Sequence, residues 1–213
     1  TVEAISINFC SKIGITIPVG KDSLSMQTSW KNDGEQLINT APLSLVISAF
    51  SPIKNVNKVI TPQLKNIKES KLLLIDLGQG RNRMGGSCLS QIYKQSFGET
   101  PDIQDPELLK SFFNAVTELK SRNLIQAYHD RSDGGLFACV SEMAFAGNMG
   151  VELSLDDECD DGTLRSLFSE ELGCVVQIDK GDLDEVLGVL SDASLSNCSH
   201  SIGDVVKEKR ISI

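Results

Sequence analysis

"AYHDRSDGGLFACVSEMAFAG", Ala127 to Gly147, changes its hydrophobic period at the centre. On the left, "LIQAY" reads as a buried strand; on the right, Leu136, Val140, Met143 and Ala144 recur at helical spacing until Gly147. Between them stand His129, Asp130, Arg131, Ser132 and Asp133, followed by Gly134 and Gly135. A strand-to-helix turn with this content predicts one half of an α/β layer, and it places a polar cluster at the mouth of a helix, where backbone amides lack intrahelical partners. Helix capping accounts for Ser132 or Asp133 and a half-buried hydrogen-bonding role accounts for His129, but capping does not account for five polar residues in a row.

The same alternation continues on both sides. Downstream come strand "GVELSL", a short helix "DGTLRSLFSEEL", strand "GCVVQID", an amphipathic helix "GDLDEVLGVLSDA", and strands "SHSIGDVV" and "KRISI". Upstream, "DPELLKSFFNAVTELKSRN" predicts a helix capped by Asp105, with Pro106 in its first turn and Leu108, Leu109, Phe112, Phe113, Val116 and Leu119 in one core stripe. Before it, the buried strand "KLLLIDLG" passes through the glycine-rich "GQGRNRMGGS" into a helix "CLSQIYKQSFG", on which Leu89, Ile92, Tyr93 and Phe97 share a spacing. Short connections between alternating elements predict a mixed sheet with helices packed over it.

Residues 54 to 70, polar and lysine-rich, read as a linker, so the expected organisation is a first unit over 1–53 and a second over 71–213. In the first unit, "ITIPVGKDSLSMQTSW" reads as strand, turn, strand, "KNDGEQ" as a turn, and "APLSLVISAF" as a strand covered on both faces. Val2, Ile5, Ile7, Phe9 and Cys10 read as core-directed. The chain starts without Met inside this pattern and reads as a fragment.

Composition narrows the function. The chain has 213 residues, 40% of them hydrophobic and 23% charged, as expected of a soluble globular protein. A net charge of -9 opposes binding to nucleic acid. No apolar run approaches the roughly 18 residues of a membrane span and no signal peptide is evident, so a cytoplasmic location without membrane attachment is expected. The six cysteines lack CxxC spacing and read as reduced core residues, and with two histidines no zinc spacing is present.

Three loops carry polar groups suited to chemistry. In "VGKDSLSM", Lys21 can neutralise phosphate, Asp22 can hold a hard cation or its waters, and Ser23 can donate a hydrogen bond; the same residues also suit a solvated hairpin tip. The loop is not a Walker A motif, because Ile15 and Asp22 stand where Gly and Ser or Thr are needed. The glycines at 78 and 80 lack the third member of a dinucleotide fingerprint, since Arg83 occupies its place; this loop reads as one requiring positive φ ahead of a helix. In the turn after Tyr128, carboxylate oxygen suits Mg2+, while amides and a serine hydroxyl suit polyphosphate. A nucleophilic pairing of His129 with Cys139 or Cys88 is disfavoured because Cys139 lies in an apolar helix. The acidic run at 156 to 162 fails the calcium-loop template at Cys159.

Seven segments, "TIPVGKDSLSM", "PLSLVISAF", "LLLIDLGQG", "MGGSCLSQIY", "AYHDRSDGGL", "EMAFAGNMGV" and "LFSEELGCVVQI", resemble in order and spacing the long form of the phosphoribosylformylglycinamidine synthases. The resemblance covers nearly the whole chain and is to the second half of the synthetase region. It implies an α+β fold: the end of a domain like the N-terminal domain of aminoimidazole ribonucleotide synthetase, then a C-terminal-like α/β/α layered domain with a mixed sheet. It also implies a ligase of purine biosynthesis in which ATP activates the amide oxygen of formylglycinamide ribonucleotide and glutamine-derived ammonia displaces it, giving the amidine, ADP and phosphate. Carried over residue by residue, Asp130 matches a magnesium ligand and Ser132 a nucleotide-binding position. Lys21, Asp22 and Ser23 match the family's GKDS turn, with Gly134 and Gly135 completing the nucleotide turn. Nothing matches a glutaminase nucleophile, and no residue is assigned a catalytic role. The implied fragment lacks the first synthetase half, the glutaminase domain and further Mg2+ ligands, and is expected to be inactive alone. The alternative implied by the family's pseudo-symmetry is a structural Mg-nucleotide-binding and scaffolding module.

Overall fold

A computed structural model of the chain describes residues 2–21, 23, 26–42, 44–53, 55–155 and 162–213. The chain divides into two units, Thr1–Lys58 and Val59–Ile213. Asp22 and all but the last residue of the 156–162 acidic run lie outside the described residues.

The second unit is organised by strand β3 (Ser70–Asp76), whose side chains are buried on both faces. Leu72 and Leu74 point into one apolar cluster, with Leu136, Val140 and Met143, while Leu73 and Ile75 point into another, with Leu119, Val186 and Leu190. Alternation along an extended strand sends successive residues to opposite faces, so an unbroken apolar run requires cover on both. That cover comes from α4 (Gly135–Gly147) on one side, and from α3 (Pro106–Ser121) and α6 (Leu183–Asp192) on the other. The three layers are those of the expected α/β/α domain.

Around β3 the sheet runs in the order β4 (Ala127–Asp130), β6 (Gly173–Asp179), β3, β7 (Ser199–Val206), β5 (Gly150–Leu153), β8 (Ile211–Ser212). Every pairing is antiparallel except β5 with β8, which makes the sheet mixed. The outer side of β4 meets the segment before β3. The Tyr128 amide donates to the Thr61 carbonyl at 3.1 Å, and Leu64, 2% exposed, joins the cluster under α4. Gln177, fully buried on β6, holds the same segment: its Oε1 accepts from the Lys65 amide at 2.7 Å, and its Nε2 donates to the Lys65 carbonyl at 2.8 Å and to Ser70 Oγ at 3.0 Å.

Helix starts follow local signals. The Asp105 carboxylate caps α3 through the Glu107 amide at 2.9 Å, and Pro106 takes the first helical position. Ser87 caps α2 (Cys88–Tyr93) through the Ser90 amide. Three details differ from the periodic reading. Phe113 is 69% exposed, off the core stripe that Ala115 and Leu119 define, and α2 stops before Phe97 because Lys94 adopts a left-handed conformation. After α5 (Gly162–Phe168) the chain leaves the helix before Glu170, earlier than its sequence suggested.

The first unit departs further from expectation. Residues Glu3–Cys10 wind as a wide π-type helix that continues into α1 (Ser11–Ile13) and ends at Gly14 with φ 78°. Only Cys10 of its five apolar positions is buried, so the stretch is not core-directed in this unit. The strand expected over 15–20 is absent, and β1 (Gln27–Asn32) pairs instead with β2 (Glu35–Thr40). Asp33 and Gly34, with φ of 49° and 87°, form the two-residue turn between them, a hairpin that the "DG" pair specifies. Described residues of "APLSLVISAF" form no strand, and Val46 and Phe50 are 88% and 95% exposed. Continuous apolar strands owe their order to paired neighbours and covering layers; this segment has no paired strand among the described residues.

Gln177→Met is expected to lower the unfolding free energy by about 1–3 kcal/mol, because the Lys65 amide and carbonyl lose their buried partner. Urea titration measures the loss, and hydrogen exchange at the Lys65 amide should accelerate with it.

Candidate functional site

Strand β4 distributes its polar side chains by alternation. Tyr128 and Asp130 share one face, where the Tyr128 hydroxyl donates to Asp130 Oδ1 at 2.6 Å. His129 faces the other way and pairs through Nε2 with Glu142 Oε2 of α4 at 2.5 Å. Burial, together with the hydrogen bond to the Asp130 carboxylate and its charge, pushes the Tyr128 hydroxyl pKa up, so it remains a donor. Arg131 turns inward and is 4% exposed. The outward residues of the turn are Asp130, Ser132 and Asp133.

No side chain caps α4. Its N-cap is Gly134, with φ 84°, and the Gly135 amide donates to the Ser132 carbonyl at 2.9 Å. Gly135 also has φ 71°, and a Cβ there would sit 2.7 Å from the Leu167 carbonyl oxygen, so the end of α5 leaves room only for glycine. The Gly134 amide donates at 2.9 Å to Glu170 Oε1, and the Cys88 amide at the start of α2 donates to the same oxygen at 2.8 Å. Both glycine amides therefore have partners within the chain. Gly134 and Gly135 shape the turn, and the groups it presents outward are side chains.

Beneath the turn lies a buried polar network. The Asp76 carboxylate, at the end of β3, accepts from the Gly78 amide at 3.0 Å, from the Gly80 amide at 2.7 Å, and from Arg131 Nη2. Arg131 also donates from Nε to the Glu171 carbonyl at 2.6 Å and from Nη2 to the Leu172 carbonyl at 3.1 Å. Glu171, 1% exposed, takes Arg83 in a two-point contact, with Nε to Oε1 and Nη2 to Oε2 both at 2.7 Å. That hydrogen-bonded contact raises the Arg83 guanidinium pKa further, against the opposing effect of burial. The glycine-rich loop is thus a structural loop: Gly80 and Gly86 have positive φ, and Gly78 has its missing side chain's place filled by Glu171. A cavity of about 260 Å³ opens beside it, lined by Leu77, Arg81, Asp102, Leu108, Glu171 and Leu172 among others.

The segment "SEEL" at 169–172 is the part of the site that sequence reading missed. The two adjacent glutamates were expected at the end of the helix "DGTLRSLFSEEL", yet both accept hydrogen bonds from residues far off in sequence, Glu170 from the Cys88 and Gly134 amides and Glu171 from Arg83. The one available signal was their place between a helix and the buried strand β6.

Asp130, Ser132, Gly134 and Gly135 lie together in the second unit. Lys21 and Ser23 are exposed in the first unit, where Lys21 Nζ donates to Ser23 Oγ at 2.5 Å. Among the described residues, no group of three or more His, Cys, Asp and Glu is arranged to hold a metal. Asp130 and Ser132 are both exposed at this turn, and a single carboxylate suits an ion that keeps most of its waters and is shared with phosphate oxygens. Cys139, Cys174 and Cys88 are poor nucleophiles: burial pushes the Cys139 thiol up to about 12 and raises Cys174 and Cys88 as well. Among the described residues, no helix is long and apolar enough to cross a membrane.

Arg131→Met should cost on the order of 3–5 kcal/mol by leaving the Asp76 carboxylate buried without its cation, and adding Asp76→Asn should recover part of that loss; urea unfolding of the double-mutant cycle measures the coupling. Cys139, whose ordinary pKa of 9.0 is raised to about 12, stabilises the fold most fully below pH 9 and loses that contribution as pH climbs toward 12. At pH 8 it should resist alkylation by iodoacetamide in the native state and react on unfolding, as peptide mass mapping would show.

Residues 69–213 match the family described as AIR synthase related protein, C-terminal domain, and residues 1–52 match the FGAR-AT PurM_N-like domain. A phosphoribosylformylglycinamidine synthase of Schizosaccharomyces pombe (strain 972 / ATCC 24843) is 47% identical over 208 residues, covering 96% of this chain and 16% of that protein's length. Among solved structures, Thermotoga maritima PurL complexed with ATP is 15% identical with a TM-score of 0.53, over 72% of this chain and 24% of PurL. The same protein complexed with AMPPCP is 16% identical with a TM-score of 0.54, over 74% of this chain and 25% of PurL. At that identity the structural likeness shows the shared fold. The three-layer unit, its polar turn and the match over residues 69–213 lead to one assignment: the chain belongs to the AIR synthase related family through its C-terminal domain.

Proposed function

We propose that the chain is part of an ATP- and glutamine-dependent amidoligase of purine biosynthesis, which converts formylglycinamide ribonucleotide to formylglycinamidine ribonucleotide. The observation that carries this reading is the similarity, along nearly the whole chain, to a phosphoribosylformylglycinamidine synthase. Structures of the same fold exist with ATP and with FGAR bound to T. maritima PurL, which supports nucleotide and FGAR as ligands. The chain spans about a sixth of its S. pombe relative, so glutamine use, the first synthetase half and a glutaminase domain are assigned to the larger protein. The isolated chain is expected to lack turnover.

In this reading the exposed Asp130 carboxylate holds Mg2+, and the Ser132 hydroxyl contacts the nucleotide. Mg2+ would neutralise charge on the transferring phosphoryl group. The chain's own contribution is placement: Arg131 anchors the turn from below, and Gly134 and Gly135 let α4 begin immediately beyond it. Lys21, Asp22 and Ser23 are proposed phosphate contacts from the first unit. A cytoplasmic location is consistent with this activity.

A second reading assigns the turn to a structural Mg-nucleotide that scaffolds the enzyme. It is favoured by the commitment of the Gly134 and Gly135 amides to Glu170 and Ser132, which leaves the turn few groups directed at reacting phosphate.

Asp130→Ala in the full polypeptide carrying this chain separates the two. If the turn serves catalysis, glutamine-dependent amidation should fall at least about 100-fold, while the melting temperature without nucleotide is preserved and the rise caused by ATP with Mg2+ disappears. A structural nucleotide predicts that tightly held nucleotide is lost and the purified protein melts earlier. Wild-type amidation together with wild-type nucleotide retention would remove both readings.

A further inference from the structure

Asp130 is exposed at the end of a four-residue strand, a position where an isolated carboxylate would rotate freely. It is instead held from its own strand. Tyr128, two residues earlier and on the same face, donates its hydroxyl proton to Asp130 Oδ1 at 2.6 Å. The Tyr128 ring is half-buried against the apolar cluster that contains Leu73, Val176 and Ile178. Its amide is fixed to the Thr61 carbonyl, and Val176 lies opposite it in the β4–β6 register, with Cys174 opposite Asp130. The hydroxyl is therefore a fixed donor, and it occupies one oxygen of the carboxylate. His129 points to the opposite face, toward Glu142, and does not share this role.

We propose that Tyr128 is a positioning residue for the metal site: it holds Oδ1 of Asp130 and so directs Oδ2 outward as a single-oxygen ligand. This inference rests on the reading of Asp130 as a magnesium ligand. A carboxylate with one oxygen already hydrogen-bonded presents the other in one orientation, which suits an ion that demands near-octahedral geometry and keeps several waters. Partners that orient a metal ligand commonly contribute 10–100-fold in metal affinity without touching the ion.

The test uses the full polypeptide and a readout other than turnover: the Mg2+ concentration giving half of the ATP-dependent rise in melting temperature, at fixed ATP. Tyr128→Phe should raise that midpoint by about tenfold, and Asp130→Asn should abolish the Mg2+-dependent part of the rise. A core control, Val176→Ala, loosens the strand opposite Tyr128 without removing the hydroxyl and should keep the wild-type midpoint even where it melts earlier. A wild-type midpoint in Tyr128→Phe, with Asp130→Asn still defective, overturns the positioning role alone. An equal shift in Val176→Ala also overturns it, because general loosening would then suffice. A wild-type midpoint in Asp130→Asn overturns the underlying reading of the metal site.

Discussion

The carboxylate of Asp76 is the constraint on which the site depends. It sits at the end of the central strand, buried, and it gathers two amides of the glycine-rich loop and the guanidinium of Arg131. Removing a charge from water is costly unless its lone pairs are satisfied, so the loop must fold back over the strand end and Arg131 must point inward. Once Arg131 is committed, the residues on either side of it face outward. The exposure of Asp130 and Ser132 is the consequence of an ion pair beneath them.

The surrounding glutamates extend the same logic. Glu171 closes the glycine loop through Arg83, and Glu170 receives the first amide of α2 and the amide of Gly134, the residue before α4. A carboxylate is well placed at helix starts because unpaired amides and the helix dipole favour negative charge there. The internal glutamate thus occupies a position that could otherwise attract an anion, and it joins the glycine loop to the polar turn. What the turn offers an external ligand is consequently carried by side chains on β4 and just beyond it.

The division of the chain into two units bears on function. The second unit has a complete three-layer core and a covered β4 edge, whereas the first has a hairpin and a long exposed apolar segment. The candidate residues are divided in the same way, with Asp130 and Ser132 in one unit and Lys21 and Ser23 in the other.

Local pattern alone was enough for the main elements of the second unit. The apolar run of β3, the Asp105–Pro106 helix start and the period change at Asp130 each specify their element through short-range sterics and amphipathic spacing, and the exposed polar turn that carries Asp130 and Ser132 was legible because polar residues stood where core spacing had just ended. The "DG" pair at 33–34 was a local signal of the same kind: the turn over "KNDGEQ" and the strand before it were legible, while the return strand β2 was not. What the sequence could not determine were features decided by distant partners. Residues 15–20 and 41–53 carry strand-like patterns but take no strand form among the described residues, because a strand is completed only by its neighbours. Glu170 and Glu171, adjacent and charged, became buried or bridging because loops far off in sequence supply their donors. Tertiary structure alone turned Arg131 inward and left its neighbours exposed, since the desolvation of a charge is resolved by whichever partner the fold brings within reach.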